Sequence, residues 1–470
     1  MSVFRFFRKR KAFPDASENY TDIGTGVNMD TARKIVPIRL PDRERKRGMM
    51  VVGSTGVGKT RLAEHMIDQD IAKGYSLCYL DPKGDQLIFS KVFESARKHG
   101  RLDELQLITP IYPELSAIVD PMAYYFSVEE LAAHIAAAIP PSKEEFFKNV
   151  AVMLSTAVIT ASTIIARNRG QLPNLNFDAL RNGIRRKNLE DSRITLQDIG
   201  SPEALRTVGI IEDLLGESEE YYSKVSKSLA VALMHLSVGN IGRIIGQADT
   251  NRIIQRIEEG QRVIVVIHTG SQMFPDAANA LGRVILSMIQ KCVGRTYGSV
   301  KEKFHTPLAI YIDEAQKVLY PGIEALPAMA GSANVMTTMF VQDNSQLAAV
   351  LGEEFARVIM NNCNTKVFMR CPDADTAEYV TRHFGTKPVL TGIYSANQVT
   401  TREVEQDVIK PYDVQSLQVQ EFLMQTYSGR WKGKTTQVPK ATVKVIFPDR
   451  PDTGSSYQAF EDEVEGEATA

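Results

Sequence analysis

Residues 49–60 read MMVVGSTGVGKT and decide the fold of this chain. Within them, Gly53–Thr60 has the spacing G-x-x-x-x-G-K-T, in which glycines allow a tight turn that points successive backbone N–H groups at phosphate oxygens. The apolar residues before the loop are typical of a strand, and the residues from Arg61 onwards have helical periodicity. A loop that opens a helix favours an anion at the helix N-terminus, so the sequence predicts a nucleoside triphosphate site here.

The residues of this loop have separate predicted roles. The Lys59 ammonium is predicted to reach the β- and γ-phosphates, and the Thr60 hydroxyl is predicted to be a ligand of Mg²⁺. A chance match to the pattern is the alternative, and the strand before the loop and the helix after it count against chance. The predicted ATP-binding residues of the loop are Gly53, Ser54, Thr55, Gly56, Val57, Gly58, Lys59 and Thr60.

The composition limits the class of protein. A chain of 470 residues is long enough for two or three domains, and 43% hydrophobic residues allow sizeable cores. The formal net charge of -1 neither indicates nor excludes a nucleic-acid partner, so any basic surface must be local. The four cysteines have no C-x-x-C pair and no zinc spacing, which is typical of a reducing compartment.

No stretch of the sequence is typical of a signal peptide or a membrane span. Residues 1–14 are basic and aromatic without an apolar core. Residues 150–166 are uncharged, but at ~1.5 Å per residue they extend ~25 Å, short of a ~30 Å hydrocarbon core. Five Ser or Thr residues also interrupt them. We therefore expect a buried helix there and a cytoplasmic protein without a transmembrane segment.

Charged residues follow a second predicted strand. Tyr75–Leu80 is apolar, and Asp81 and Lys83 come after it within the sequence DPKGD. Because α/β sheets place their sites at the carboxyl ends of parallel strands, Asp81 and Lys83 are predicted to lie near the phosphates. The alternative is a turn that caps the next helix.

A third apolar run ends in two acids. Leu308–Ile312 is followed by Asp313 and Glu314, and this pattern downstream of a phosphate-binding loop resembles a Walker B element. Asp313 is predicted to hold Mg²⁺ through water, and Glu314 to polarise the attacking water. An Asp-Glu pair at a strand end is by itself a common helix cap, but together with the loop it predicts ATP hydrolysis.

Gln342 ends the next predicted strand, Val335–Val341. Its amide is predicted to sense the γ-phosphate or to orient water, and a plain amide at a strand terminus is an equal alternative. The predicted catalytic residues are therefore Lys59, Glu314 and Gln342.

The order of the predicted elements indicates an α/β fold. Strands alternate with helices up to about residue 126 and again from about 259, which predicts a RecA-like domain with a mostly parallel sheet over residues 35–126 and 259–447. Helical periodicity dominates residues 127–258, so we predict an inserted all-α domain there. Residues 1–34 are predicted as a basic arm, either a disordered tail or a segment for membrane or partner docking. Residues 448–470 are predicted as an acidic, disordered tail.

Several motifs together resemble one family, the type IV secretion coupling proteins, the conjugative TraD/TraG-like branch of the FtsK/HerA-type motor ATPases. The likeness runs from about residue 35 to 420. The loop and the Walker B element are shared by many ATPases, whereas the other segments are more telling. The resemblance is carried by Gly53–Thr60, residues 81–85 (DPKGD), residues 120–122 (DPM), residues 311–314 (YIDE), Gln342, residues 359–366 (IMNNCNTK) and residues 376–378 (TAE).

The resemblance implies a homo-hexameric ring with ATP and Mg²⁺ at subunit interfaces. It also implies a central channel that passes relaxase-bound DNA to a secretion channel during conjugation. The implied partners are DNA bound without sequence preference, the relaxase with its relaxosome, and components of the secretion channel. The family commonly begins with two membrane helices that this sequence does not show. A separate membrane-anchoring subunit would make the protein peripheral at the inner membrane, and a member without an anchor is the alternative.

Three functions remain open from the sequence. The first is the ATP-driven DNA-transfer motor. The second is a receptor that docks protein substrates to the channel, with nucleotide controlling assembly. The third is a HerA-like or secretion-assembly ATPase that takes no part in DNA delivery.

Overall fold

The computed structural model describes residues 19–31, 34–141, 145–246, 250–395 and 398–448. Most of the predicted basic arm and nearly all of the predicted acidic tail therefore lie outside the described residues. The strands are β1 (Tyr20–Asn28), β2 (Val36–Pro41), β3 (Met49–Val52), β4 (Ser76–Asp81), β5 (Leu105–Ile108), β6 (Ile264–His268), β7 (Leu308–Ile312), β8 (Val335–Val341), β9 (Thr365–Phe368), β10 (Thr386–Ser395), β11 (Gln398–Asp407), β12 (Glu421–Thr426) and β13 (Gly429–Thr435).

Helices connect most of these strands. They are α1 (Asp42–Arg45), α2 (Lys59–Ala72), α3 (Gln86–Lys98), α4 (Val128–Ala138), α5 (Glu145–Asn168), α6 (Phe177–Gly183), α7 (Arg186–Ile199), α8 (Pro202–Gly216), α9 (Glu219–Ser237), α10 (Gly239–Ile244), α11 (Arg252–Glu258), α12 (Pro275–Tyr297), α13 (Ala325–Ala330), α14 (Asn344–Leu351), α15 (Glu353–Asn362), α16 (Ala374–Phe384) and α17 (Pro411–Gln415).

One large sheet organises the α/β part. Its strand order is β2-β1-β13-β12-β9-β3-β8-β7-β4-β6-β5. The strands from β9 to β5 in that order pair in parallel, whereas β12, β13, β1 and β2 extend the sheet in antiparallel fashion. The central strands β3, β4, β6, β7 and β8 are buried at every residue, since helices cover both faces and apolar side chains are favoured on both. The predicted α/β class is confirmed.

Alternate residues of each central strand enter two different cores. Val51 belongs to the core beneath α2 and α3, together with Leu62 and Ile88. Val52 belongs to the core on the opposite face, which includes residues of α12 such as Leu281 and continues into the inserted helices. The sheet is therefore a middle layer between helices, and this arrangement fixes which strand ends can meet.

Between β5 and β6, the described residues from Val128 to Glu258 form the consecutive helices α4 to α11. The fold is thus an α/β domain with an inserted all-α domain, as predicted. Residues 149–168 of α5 are long and apolar enough to cross a membrane by length and composition, and 50% of their most apolar window is buried inside the protein. Alanines and leucines of α5 such as Ala157 and Leu154 lie in the same core as α4 and α8.

Two elements differ from the sequence prediction. Tyr20–Asn28 falls within the predicted arm, yet it forms β1 between β2 and β13. Its two glycines allow a close approach to the neighbouring strand: a Cβ on Gly24 would lie 2.0 Å from the Lys434 carbonyl oxygen. Past about residue 388 the sequence is polar and predicts only short strand-like pieces, but residues 386–407 contain the two ten-residue strands of the β10–β11 hairpin.

After β13 the chain forms an extended segment, residues 436–448, that we call the C-terminal strap. The Thr442 N–H donates to Glu94 (2.9 Å) and the Val445 N–H donates to Ser90 (3.1 Å), both residues of α3. Phe447 then packs against the rings of Phe89 and Tyr112, with centroids 5.6 and 5.2 Å away. The strap therefore ends beside the loop that follows β5.

Candidate functional site

The predicted site residues lie at the carboxyl edge of the sheet. The phosphate-binding loop follows β3, Asp81 ends β4, Asp313 and Glu314 follow β7, and Gln342 follows β8. These four strands are consecutive in the sheet, so their ends meet. A cavity of about 310 Å³ opens there and is lined by Thr55, Gly56, Gly58, Lys59, Thr60, Arg61, Asp81, Lys83, Asp85, Asp313 and Glu314.

The cavity does not take in every predicted residue. Gly53, Ser54 and Val57 are part of the same loop but do not line it, and Gln342 lies behind Glu314. Thr60 and Asp313 both line it, which is the arrangement that a shared Mg²⁺ requires.

Left-handed backbone at two glycines shapes the loop. Gly56 has φ 81° and Gly58 has φ 110°, values that side chains other than glycine rarely adopt. Around Gly56 nothing lies within 4 Å of the position that a Cβ would take, so the mouth of the loop is open. A Cβ on Gly58 would instead lie 3.2 Å from Cγ of Gln420, the residue before β12.

Neighbouring strands hold the loop from two sides. The Ser54 N–H donates to the Arg370 carbonyl oxygen (3.0 Å), just beyond β9. The Gln420 N–H donates to the Val57 carbonyl oxygen (2.8 Å). The loop is thus fixed by residues more than 300 positions further along the chain.

Lys59 is buried at the start of α2. Its ammonium donates to two carbonyl oxygens of its own loop, those of Gly53 (2.5 Å) and Ser54 (3.1 Å). Burial lowers the pKa of Lys59 from its ordinary value, although Glu314 and Asp313 act in the opposite direction. The loop therefore holds a partly desolvated cation beside two carboxylates, and phosphate oxygens would be stronger partners for it than carbonyls.

Asp313 is held in place by two hydrogen bonds. Its Oδ1 accepts from the Glu314 N–H (2.9 Å) and its Oδ2 accepts from the Tyr79 hydroxyl (3.2 Å). Burial raises the pKa of Asp313 to about 6, and the neighbouring Asp81 carboxylate adds to the rise, while the Glu314 N–H and the Lys59 charge oppose it. A divalent cation in this cavity would relieve the unfavourable charge, so this carboxylate is suited to bind one.

Glu314 is surrounded by donors. Its Oε1 accepts from the Lys83 ammonium (2.5 Å), and Gln342 Nε2 lies 3.1 and 2.9 Å from its two carboxylate oxygens. Gln316 donates to Oε2 (2.9 Å). Burial would raise the pKa of Glu314, but the hydrogen bond and charge of Lys83, with help from Gln342 and Lys59, outweigh burial and hold the pKa below its ordinary value. The side chain is an ionised carboxylate held in a fixed position.

Asp81 and Lys83 line the cavity but make contacts that the sequence did not indicate. Both Asp81 oxygens accept from its own loop, from the N–H groups of Lys83 (2.8 Å) and Asp85 (2.6 Å). Asp85 in turn caps α3 by accepting from the Leu87 N–H (2.8 Å). Burial raises the pKa of Asp81, while those N–H groups oppose the rise. The DPKGD segment thus forms a capped turn that presents the Lys83 ammonium to Glu314.

Several residues that support the site were absent from the prediction. Gln316 holds Glu314, and Gln346 donates to Gln342 Oε1 (3.3 Å). Nothing in a single sequence distinguishes these amides from ordinary polar loop residues. A contact of Tyr79 with the site could have been suspected from the sequence. Tyr79 lies two positions before Asp81 in a mostly apolar strand, so both side chains point to the same face of the sheet.

The polar groups that line the cavity fit a nucleoside triphosphate with bound Mg²⁺. A loop of N–H groups with an ammonium suits phosphate oxygens, and a hydroxyl with one carboxylate suits Mg²⁺, which keeps waters and takes its remaining ligands from the substrate. The open mouth at Gly56 leaves room for the phosphates.

Comparison with known proteins identifies relatives. Residues 307–419 match a family model described as the TraM recognition site of TraD and TraG. The type 4 coupling protein DotL of Legionella pneumophila is 21% identical over 447 aligned residues, covering 82% of this chain and 57% of DotL. This chain therefore spans little more than half the length of that relative.

Solved structures with the same fold include the conjugative coupling protein TrwB. Its unbound form has a TM-score of 0.66 at 16% identity, covering 90% of this chain and 92% of that one. TrwB in complex with ADP and Mg²⁺ has a TM-score of 0.59, also at 16% identity, covering 94% and 99%. VirB4 of Thermoanaerobacter pseudethanolicus has a TM-score of 0.52 at 11% identity, covering 89% and 97%. The predicted resemblance to the type IV coupling proteins is confirmed.

Proposed function

We propose that this chain, a relative of the type IV coupling proteins, hydrolyses ATP to deliver relaxase-bound DNA to the channel of a conjugative type IV secretion system. The observation that carries the proposal is the single cavity that Lys59, Thr60, Asp313 and Glu314 share. The similarity to TrwB, whose solved complexes contain an ATP analogue, a GTP analogue, and ADP with Mg²⁺, supports a purine nucleotide with Mg²⁺ as the ligand.

Each of these residues has a proposed task. Lys59 leaves its loop carbonyls to hold the charge of the terminal phosphates, and Thr60 and Asp313 hold the metal. When bound, Mg²⁺ neutralises charge on the phosphates. Glu314 accepts a hydrogen bond from the attacking water and orients it. Gln342 acts as a positioning residue, because its amide contacts the Glu314 carboxylate.

The proposal includes a homo-hexameric ring that holds DNA by its phosphates. The partners are the relaxase with its relaxosome and the secretion channel. Contacts to phosphates release counterions, so log affinity for duplex DNA should fall with log salt by roughly 0.9 for each phosphate neutralised. DNA binding that does not respond to salt would contradict the proposal.

The direct test is ATPase activity at rising protein concentration, with and without DNA. If the site is completed by a neighbouring subunit, activity per chain rises as subunits associate, and DNA increases it further. Lys59→Ala should lose turnover because the transferring phosphate loses its cation. A constant activity per chain that DNA does not change, with Lys59→Ala at full rate, would overturn the proposal.

A second candidate is a receptor for protein substrates, in which nucleotide controls assembly. Residues 307–419 match the family model described as the TraM recognition site of TraD and TraG, and a recognition site favours this receptor candidate. Deleting residues 448–470 tests a receptor that docks its partners through the acidic tail, because such a receptor loses partner pull-down whereas a motor keeps its ATPase activity.

A third candidate is a HerA-like or secretion-assembly ATPase that does not deliver DNA. A conjugation assay decides this point. If Lys59→Ala leaves DNA transfer intact, neither the motor nor the nucleotide-controlled receptor stands.

A further inference from the structure

A groove of about 670 Å³ lies on the inserted helical domain, between α9 and the junction of α6 and α7. We call it the α9 groove. Its floor is apolar and includes Ile184, Val231 and Met234. Val231 is 49% exposed and Met234 is 40% exposed, although the opposite face of α9 is packed in the core. Two large apolar side chains at i and i+3 on an otherwise open helix face are suited to contact another apolar surface.

The rim of the α9 groove is basic. Arg181, Arg185, Arg186 and Lys227 line it, against one acid, Glu219. Arg186 is fixed, because it donates to the Leu215 carbonyl oxygen (2.6 Å) and its guanidinium lies 5.5 Å from the Tyr222 ring centroid. Arg181 pairs with Asp178 (2.9 Å).

The other two cations of the rim differ from Arg181 and Arg186 in their contacts. Arg185 and Lys227 are exposed, and among the described residues neither forms an ion pair. In a chain of net charge -1, this local excess of positive charge indicates an acidic ligand. An apolar floor beneath a basic rim fits an acidic amphipathic helix better than a nucleic acid. The phosphates of a nucleic acid would pair with the cations but would make no favourable contact with the exposed Val and Met side chains.

The chain itself carries such a segment. In residues 457–467, YQAFEDEVEGE, apolar side chains occur at i, i+3 and i+7, namely Tyr457, Phe460 and Val464. This is the spacing of anchors in peptides that bind a groove as a helix. Five acids accompany the anchors: Glu461, Asp462, Glu463, Glu465 and Glu467.

The C-terminal strap ends beside a loop that contacts the helical domain. The strap reaches Pro448, whose carbonyl oxygen accepts from the Tyr112 hydroxyl (3.3 Å). Two residues after Tyr112, Glu114 pairs with Arg243 of α10 (3.4 Å), and α10 follows α9 directly. Nine further residues reach Tyr457, an extended length of roughly 30 Å.

We propose that the α9 groove binds residues 457–467 of the chain's own C-terminal tail. Phe460 and Val464 contact the apolar floor, and the acids pair with Arg185 and Lys227. An acidic amphipathic segment of another protein would compete for the same groove, so the tail would act as a built-in competitor. This proposal goes beyond the function above and does not depend on ATP hydrolysis or DNA.

The test measures binding of a fluorescent synthetic peptide of residues 449–470 by anisotropy. It compares the wild-type chain with a neutral-tail chain carrying Glu461→Gln, Asp462→Asn, Glu463→Gln, Glu465→Gln and Glu467→Gln. The wild-type groove is occupied by its own tail, so the peptide should bind the neutral-tail chain about tenfold more tightly. Equal affinity for the two chains would overturn the proposal.

Matched variants locate the site. In the neutral-tail chain, Arg185→Glu with Lys227→Glu should weaken peptide binding by about tenfold or more. Arg169→Glu with Arg206→Glu makes the same charge change at exposed positions of the helical domain outside the groove and should leave binding unchanged. If both pairs weaken binding equally, the contact is diffuse electrostatics and the groove assignment falls.

Two further arms distinguish other occupants. A peptide with Tyr457, Phe460 and Val464 all changed to Ser keeps its charge and should bind about tenfold less tightly. If it binds equally well, or if duplex DNA displaces the peptide, the groove is a phosphate or polyanion site and the proposal is overturned.

Blocking by the wild-type tail should persist on dilution, because it is intramolecular. If blocking disappears on dilution, the tail comes from a second copy and the assignment to the same chain is wrong.

Discussion

The Lys83 ammonium lies 2.5 Å from Oε1 of Glu314, although the two residues are 231 positions apart in the sequence. One comes from the turn after β4 and the other from the end of β7, and these strands are adjacent in the sheet. The contact keeps the proposed water-orienting carboxylate ionised in a setting whose burial would otherwise favour its protonated form. It also connects the turn that caps α3 to the carboxyl edge of the sheet.

Replacing Lys83 should shift the pH dependence of hydrolysis. Lys83 holds the pKa of Glu314 below its ordinary value, so Lys83→Met should raise that pKa and leave the carboxylate protonated up to a higher pH. The acid limb of the kcat profile should therefore move to higher pH. Lys303→Met, at an exposed position away from the cavity, is the control and should leave the limb in place. An unmoved limb in Lys83→Met would show that another group governs it.

Removing the charge of Glu314 should separate binding from hydrolysis. Glu314→Gln is nearly isosteric and keeps Lys59 and Thr60, so we expect ATP to bind with little change. Turnover should fall by about 10²–10⁴-fold, the usual contribution of a positioned acid or base. Equilibrium binding of a nucleotide analogue and steady-state ATPase assays check the two halves. Retention of full turnover would exclude Glu314 from the reaction.

Asp313 should make magnesium binding depend on pH near neutrality. Because burial raises its pKa to about 6, a proton competes with the metal as the pH falls through that value. The apparent affinity for Mg²⁺, measured by titration in the presence of nucleotide, should therefore weaken below about pH 6. Asp313→Asn should have weaker affinity and keep only the pH dependence that the nucleotide's terminal phosphate contributes, which a titration of Mg²⁺ with nucleotide alone measures.

The raised pKa of Asp313 also predicts that its ionised carboxylate destabilises the fold when no metal is bound. A carboxyl whose pKa is higher in the folded chain binds more protons when folded, so stability falls as pH rises from about 4 to about 6. Without Mg²⁺ at pH 7, Asp313→Asn should be more stable than the wild type by about 1–3 kcal/mol. Denaturant titration with and without Mg²⁺ measures this, and a less stable variant would contradict the sign.

Gly58 should not tolerate a side chain. Its φ of 110° disfavours L-residues, and a Cβ would lie 3.2 Å from Gln420 Cγ. Gly58→Ala should therefore cost about 1–2 kcal/mol and weaken nucleotide binding. The control is Gly209→Ala in the middle of α8, where nothing lies within 4 Å of the new Cβ and about 0.5–1 kcal/mol of stabilisation is expected. Equal effects of the two changes would show that Gln420 and the left-handed turn do not matter.

The hydrophobic pattern of the sequence predicted the central parallel strands well, because strands that are buried on both faces are continuous apolar runs, as in β6 and β7. It missed β1, where polar residues and two glycines interrupt the pattern, since pairing with β2 and β13 on either side is a property of the sheet. It also missed the length of the β10–β11 hairpin, because β11 carries more charged than apolar residues.

The site was predicted as far as its motifs extend. Glycine and lysine spacing indicated the loop, and a strand that ends in two acids indicated Asp313 and Glu314. The contact between Lys83 and Glu314 depends on β4 and β7 being neighbours, and the brace of Gln420 depends on where the last strands join the sheet. Both are consequences of topology, which spacing along one chain does not contain. The roles of these residues in ATP hydrolysis stay predictions.

The hydrogen bond from Gln420 to the loop at Val57 joins two positions that lie more than 300 residues apart in the chain. During synthesis on the ribosome, the loop therefore emerges long before the strand ends that brace it, and it stays incompletely supported until Gln420 has been made. Prematurely terminated chains would lack that brace. Nucleotide binding that depends on this brace would distinguish chains that extend past Gln420 from shorter fragments, and would keep such fragments out of any assembly that nucleotide controls.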